Sequence, residues 1–65
     1  MQVWINGTEQ QFTDDLSVQQ LLQQMELSGR LAVELNGEIV PKSSFSETGL
    51  ADGDCIEIVQ AIGGG

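Results

Sequence analysis

Ser17-Val18-Gln19-Gln20-Leu21-Leu22-Gln23-Gln24-Met25 is the stretch whose reading decides the fold. Val18, Leu21, Leu22 and Met25 recur at helical spacing, with glutamines between them, which is the pattern of one amphipathic helix. Ser17 stands at the N-cap position with Gln20 three residues on, the arrangement of a capping box. Leu16 before the cap and Leu21 within the helix fit the accompanying hydrophobic staple. The spacing predicts a helix over 18–26, with Leu27 packing after it and Gly29 supplying the stop. A lone helix has only a sheet to cover, so its Leu/Met stripe reads as a core face and not as a groove for a partner helix.

Two Asn-Gly hairpin signals flank this helix, Asn6-Gly7 before it and Asn36-Gly37 after it. The first joins strands expected at 2–6 and 8–12. Val3 and Ile5 share the core face there, leaving Trp4 outside. The second joins 31–35, with Leu31, Val33 and Leu35 inward, to a short strand at 38–40 ended by Pro41. Turn register decides which of Ile39 and Val40 points inward. Residues 42–49 read as an irregular segment with room for one short helical turn, anchored by Phe45 and Leu50. Asp52-Gly53-Asp54 is a tight turn into a last strand at 55–60, with Ile56 and Ile58 inward. The order β-β-α-β-β-β predicts an α+β roll, one helix packed on a mixed sheet, as a single domain over 1–61. Residues 62–65 then form a flexible glycine-rich tail.

Composition narrows the function. Sixty-five residues make one small core with little room for an enclosed active site. Ten carboxylates against Arg30 and Lys42 give a net charge of −8. That balance argues against nucleic acid and anionic membrane as partners, and for a protein with a basic face. With no histidine and one cysteine, a Ser-His or Cys-His pair cannot be built, nor an ordinary Cys/His metal site. Asp14-Asp15 and Asp52/Asp54 sit in turns, where aspartate has a local backbone role. Cys55 has acidic neighbours in sequence and reads as structural or incidental. The expectation is a cytoplasmic protein with no signal peptide and no membrane span.

Two features remain. If the first and last strands lie side by side, Trp4 and Val59 share an outward surface with Ala32 nearby and Glu34 and Glu57 at its rim, the composition of a partner-binding face. Ile62, where the body gives way to the tail, is a further candidate for partner binding. The end, Ala61-Ile62-Gly63-Gly64-Gly65, is either a frayed terminus or a thread that carries a carboxylate into a narrow opening.

The stretch Leu35-Asn36-Gly37-Glu38-Ile39-Val40-Pro41, then Leu50-Ala51-Asp52-Gly53-Asp54, Ile56-Glu57-Ile58-Val59 and the terminal Gly-Gly resemble the ThiS family of thiamine-biosynthesis sulfur carriers. The similarity covers essentially the whole chain and rests on order, spacing and the Gly-Gly end together. It implies the ubiquitin-like β-grasp fold. It also implies that Gly65 is adenylated by an E1-like adenylyltransferase of the ThiF type and becomes a thiocarboxylate, with sulfur drawn from a cysteine desulfurase. Thiazole synthase of the ThiG type would accept that sulfur. Gly63 and Gly64 would enter the partner's active site. The carrier would bind no cofactor and hold no catalytic residue, ATP being consumed by the activating enzyme. The third glycine, Gly63, departs from the family's Gly-Gly and leaves open where the rigid domain stops. The small subunit of molybdopterin synthase and a ubiquitin-like protein modifier are the alternatives.

Overall fold

A computed structural model describes residues 1–60. Five strands and one α-helix follow in the expected order: β1 Gln2–Ile5, β2 Thr8–Gln11, α1 Val18–Gln24, β3 Leu31–Leu35, β4 Glu38–Val40 and β5 Cys55–Gln60. A single 3-10 turn at Lys42–Ser44 lies between β4 and β5. The sheet runs β2-β1-β5-β3-β4. It is mixed, because β1 and β5 are parallel while the other neighbours are antiparallel. Among the described residues β5 is thus the central strand and the sole bridge between the two hairpins.

Both hairpins turn as their Asn-Gly pairs require. Asn6 and Asn36 have φ of 50° and 52°, and Gly7 and Gly37 have 84° and 88°. Two successive left-handed residues are the geometry of a type I′ turn, whose twist matches that of the strands it joins. The asparagines also reach β5. Asn6 exchanges two side-chain bonds with the backbone of Ile58. Asn36 accepts from the Cys55 N–H and donates to Asp54.

The helix begins as expected. Ser17 Oγ accepts from the Gln20 N–H at 3.1 Å, and Gln20 Oε1 accepts from the Ser17 N–H at 2.9 Å. It ends earlier than the expected 18–26. Met25 caps it, and Glu26 takes a left-handed φ of 57°. The Glu26 N–H then donates to Gln23 O and the Leu27 N–H to Leu22 O. These are the two bonds of a Schellman motif, with Leu27 closing over Leu22's end of the helix. The stop is therefore Glu26, not Gly29, which is left-handed three residues later in the loop.

Val3, Ile5, Val18, Leu21, Leu22, Val33, Phe45, Leu50, Ile56 and Ile58 are buried in one cluster, together with Leu16 from the staple position. Val18 and Leu21 are wholly excluded from solvent. Val40 is half-buried against this core while Ile39 is 77% exposed, which settles the register of β4. Phe45 and Leu50 anchor the irregular segment as expected. Its backbone is tied to the helix start, Val18 N–H to Thr48 O and Leu50 N–H to Leu16 O. Asp52 and Asp54 serve backbone amides, Oδ1 of Asp52 accepting from Gln2 N–H and Oδ2 of Asp54 from Ala51 N–H.

Candidate functional site

The face of the sheet opposite the helix carries the exposed side chains. Alternation along β5 puts Cys55, Glu57 and Val59 outward, and along β3 it puts Ala32 and Glu34 outward. Trp4 of β1 is 40% exposed and Val59 64%, so both lie on this outer face as expected. Register then decides what touches what. Ala32 is paired with Val59 and Glu34 with Glu57 across β3 and β5, while Trp4 is level with Cys55 on β5.

Trp4 and Val59 are consequently not neighbours. Four residues of β5 separate their levels, about 13 Å at the usual rise of a strand. Glu57 and its partner Glu34 stand between them. The carboxylates expected at the rim of one apolar patch instead divide two: Ala32 with Val59 near the end of β5, and Trp4 with Cys55 near its start.

The end of β5 is also the place where the chain's positive charge collects. Gly29, Arg30, Leu31, Ala32, Lys42 and Val59 line a shallow, mostly apolar groove. Arg30 and Lys42 are the chain's two basic side chains. Neither is used in the side-chain hydrogen bonds of the described residues. This juxtaposition was not read from the sequence. The period of β3 held a signal for half of it, since Arg30, Ala32 and Glu34 alternate toward one face. Lys42 arrives from the 3-10 turn after β4, which no local pattern places.

Gln60, the last described residue, lies opposite Leu31, so the chain leaves the sheet beside this groove. Ile62, Gly63, Gly64 and Gly65 lie outside the described residues, as does the boundary expected at 61/62. Among the described residues no cluster of His, Cys, Asp and Glu is placed to hold a metal ion. No helix among them is long and apolar enough to cross a membrane. What the body offers is a scaffold whose central strand ends, at Gln60, next to a groove.

The chain matches the model of the ThiS family over residues 3–65. Its relatives include a thiazole synthase of Paramagnetospirillum magneticum, 47% identical over 66 residues, which takes in all of this chain but only 20% of that protein. The sulfur carrier protein ThiS of Bacillus subtilis is 38% identical over 63 residues, covering 94% of this chain and 96% of the other. The crystal structure of a thiamine biosynthesis protein (ThiS) from Geobacter metallireducens superposes with a TM-score of 0.85 at 32% identity, each chain covered in full. The fold, one helix on a mixed five-stranded sheet, is thus that of the ubiquitin-like β-grasp sulfur carriers.

Proposed function

Since the chain belongs to the ThiS family of sulfur carriers for thiamine biosynthesis, we propose that it carries sulfur on Gly65 for the formation of the thiazole ring. The carboxylate of Gly65 attacks the α-phosphorus of ATP on an E1-like adenylyltransferase, releasing pyrophosphate and leaving an acyl-adenylate. A carboxylate is a poor acyl donor; as a mixed anhydride with AMP it has a good leaving group. The terminal sulfur of a persulfide, drawn from a cysteine desulfurase, then adds to the carbonyl carbon and AMP departs. A persulfide donor needs a second thiol to break its S–S bond and free the thiocarboxylate. Thiazole synthase accepts the sulfur, and an oxygen from water or from its carbonyl substrate takes the sulfur's place on the Gly65 carbonyl carbon, regenerating the carboxylate.

In this reading the chain is a protein co-substrate. It binds no cofactor of its own, and ATP is consumed on the activating enzyme. Gly63 and Gly64 have no Cβ and can follow a channel too narrow for other residues. Ala32 and Val59 form the docking surface at the end of β5, Ile62 is a further partner-binding residue, and Trp4 is a separate contact. The reading places the protein in the cytoplasm beside its enzymes. A counterpart of this chain forms one-fifth of a protein named thiazole synthase, which supports that enzyme as a partner.

The observation that carries the proposal is a family match that runs through the glycines to residue 65. Its test is intact-mass analysis after incubation with the activating enzyme, ATP and a desulfurase. A gain corresponding to sulfur replacing one oxygen, mapped to Gly65, is expected. A chain lacking Gly65 should melt like the parent yet give no adenylate; adenylation that persists in it would exclude Gly65 as the reacting group.

A further inference from the structure

We propose that the groove lined by Gly29, Arg30, Leu31, Ala32, Lys42 and Val59 receives an acidic segment of the partner enzyme, so that docking at the tail root runs opposite in sign to the chain as a whole. This rests on the reading of the chain as a carrier that docks on its enzymes.

The argument is one of charge placement. Ten carboxylates dominate the molecule, and its net charge of −8 steers it toward basic surfaces at long range. Yet both basic side chains meet at one apolar groove. Along the outer face the order from the tail root is cationic at Arg30 and Lys42, apolar at Ala32 and Val59, and anionic at Glu34 and Glu57. A surface graded this way has one favourable orientation on a complementary partner. A partner carboxylate meets Arg30 and Lys42, an apolar side chain covers Ala32 and Val59, and a basic residue meets Glu34 and Glu57. Turning the carrier end for end sets like charges against each other. The grading therefore fixes which way the Gln60 end of β5 lies on the partner.

A zero-length carbodiimide tests this directly, because it joins an amine to a carboxylate only when the two are in contact. Lys42 is the chain's single lysine. The full chain, mixed with purified activating enzyme or thiazole synthase, is expected to give a cross-link from Lys42 to an aspartate or glutamate of the enzyme, located by mass spectrometry. Arg30→Glu and Lys42→Glu, each confirmed by its melting curve to fold, are expected to raise the Kd for that enzyme roughly tenfold or more, the range of close interfacial charge pairs. Asp14→Lys, in the turn before α1 and outside the groove, should leave Kd within about twofold, the scale of a charge away from the contact. Lys42 coupled instead to Gly65, or to a second copy of the chain, overturns the proposal. Unchanged affinity of both charge-reversed chains also overturns it while leaving the carrier reading intact. Absence of binding by the parent chain to either enzyme overturns both.

Discussion

Asn6 extends β1 by a side chain: its Oδ1 accepts from the Ile58 N–H at 2.7 Å and its Nδ2 donates to the Ile58 carbonyl at 3.1 Å. The backbone of β1 pairs with β5 only at Trp4 and Ile5. The amide of Asn6 then presents one donor and one acceptor where another strand residue would have stood. The same residue holds the left-handed first position of its turn. One asparagine thus turns the first hairpin and holds the central strand two residues before its end.

Replacing Asn6 separates those roles. Asn6→Gly keeps the turn and loses both bonds, at a cost of roughly 1–3 kcal/mol. Asn6→Ala adds the strain of a Cβ at positive φ, about 1 kcal/mol more. Urea denaturation should rank the parent above glycine and glycine above alanine. Amide exchange should show the Ile58 N–H losing protection in both variants.

Leu21 is wholly buried under the sheet. Leu21→Ala is expected to cost about 3 kcal/mol. A chain of this length has a total stability of roughly 3–10 kcal/mol. The variant should therefore show a broad, low melting transition. A midpoint close to the parent's would mean that the helix is not pinned by this side chain.

Glu26 can be improved. Its φ of 57° is strained for any residue with a Cβ, and glycine relieves the strain. Glu26→Gly should stabilise the fold by about 1 kcal/mol, less a few tenths for the freer unfolded chain. Glu26→Ala, which keeps the Cβ, should bring no such gain, and comparing the two urea midpoints checks the cause.

Glu34 and Glu57 face each other across β3 and β5 on the exposed side. Like charges directly opposite are unfavourable, so Glu57→Thr should stabilise by about 0.5 kcal/mol. The gain should shrink as salt is added, because both carboxylates are exposed and screened. A gain independent of salt would point to threonine's strand preference instead.

Docking should distinguish the two apolar sites of the outer face. Val59→Lys is expected to weaken binding to the activating enzyme about tenfold, as loss of a central contact does. Trp4→Lys should act far less, since the Glu34–Glu57 pair lies between Trp4 and the groove. Calorimetric titration of both variants decides which end of the face the enzyme covers.

Local signals made most of the fold legible. The two Asn-Gly turns, the Ser17/Gln20 box and the alternation of β1, β3 and β5 each act within a few residues, and each stands where the pattern puts it. What was hidden depends on distant pairing. The parallel register of Trp4 with Cys55 joins segments some fifty positions apart, and it alone decides that Trp4 and Val59 are separated. Ile39 and Val40 waited on the register of β4 against β3. The helix end was misplaced because glycine is the usual left-handed cap, while Glu26 takes that conformation under the pull of Leu27 into the core. The groove joins Lys42 to Arg30 through packing that no periodicity encodes.

The place of β5 in the sheet bears on how the molecule comes into being. Among the described residues it is the last strand in chain order, yet β1 and β3 meet only through it. Until it has been synthesised, the nascent chain holds two separate hairpins and one uncovered helix, each too small to persist alone. The sheet closes when residues 55–60 arrive, next to the very segment that carries the proposed chemistry. A chain broken off before that point has no folded body to present to an enzyme. Acquiring a shape that a partner can recognise and completing the strand that leads to the tail are one event.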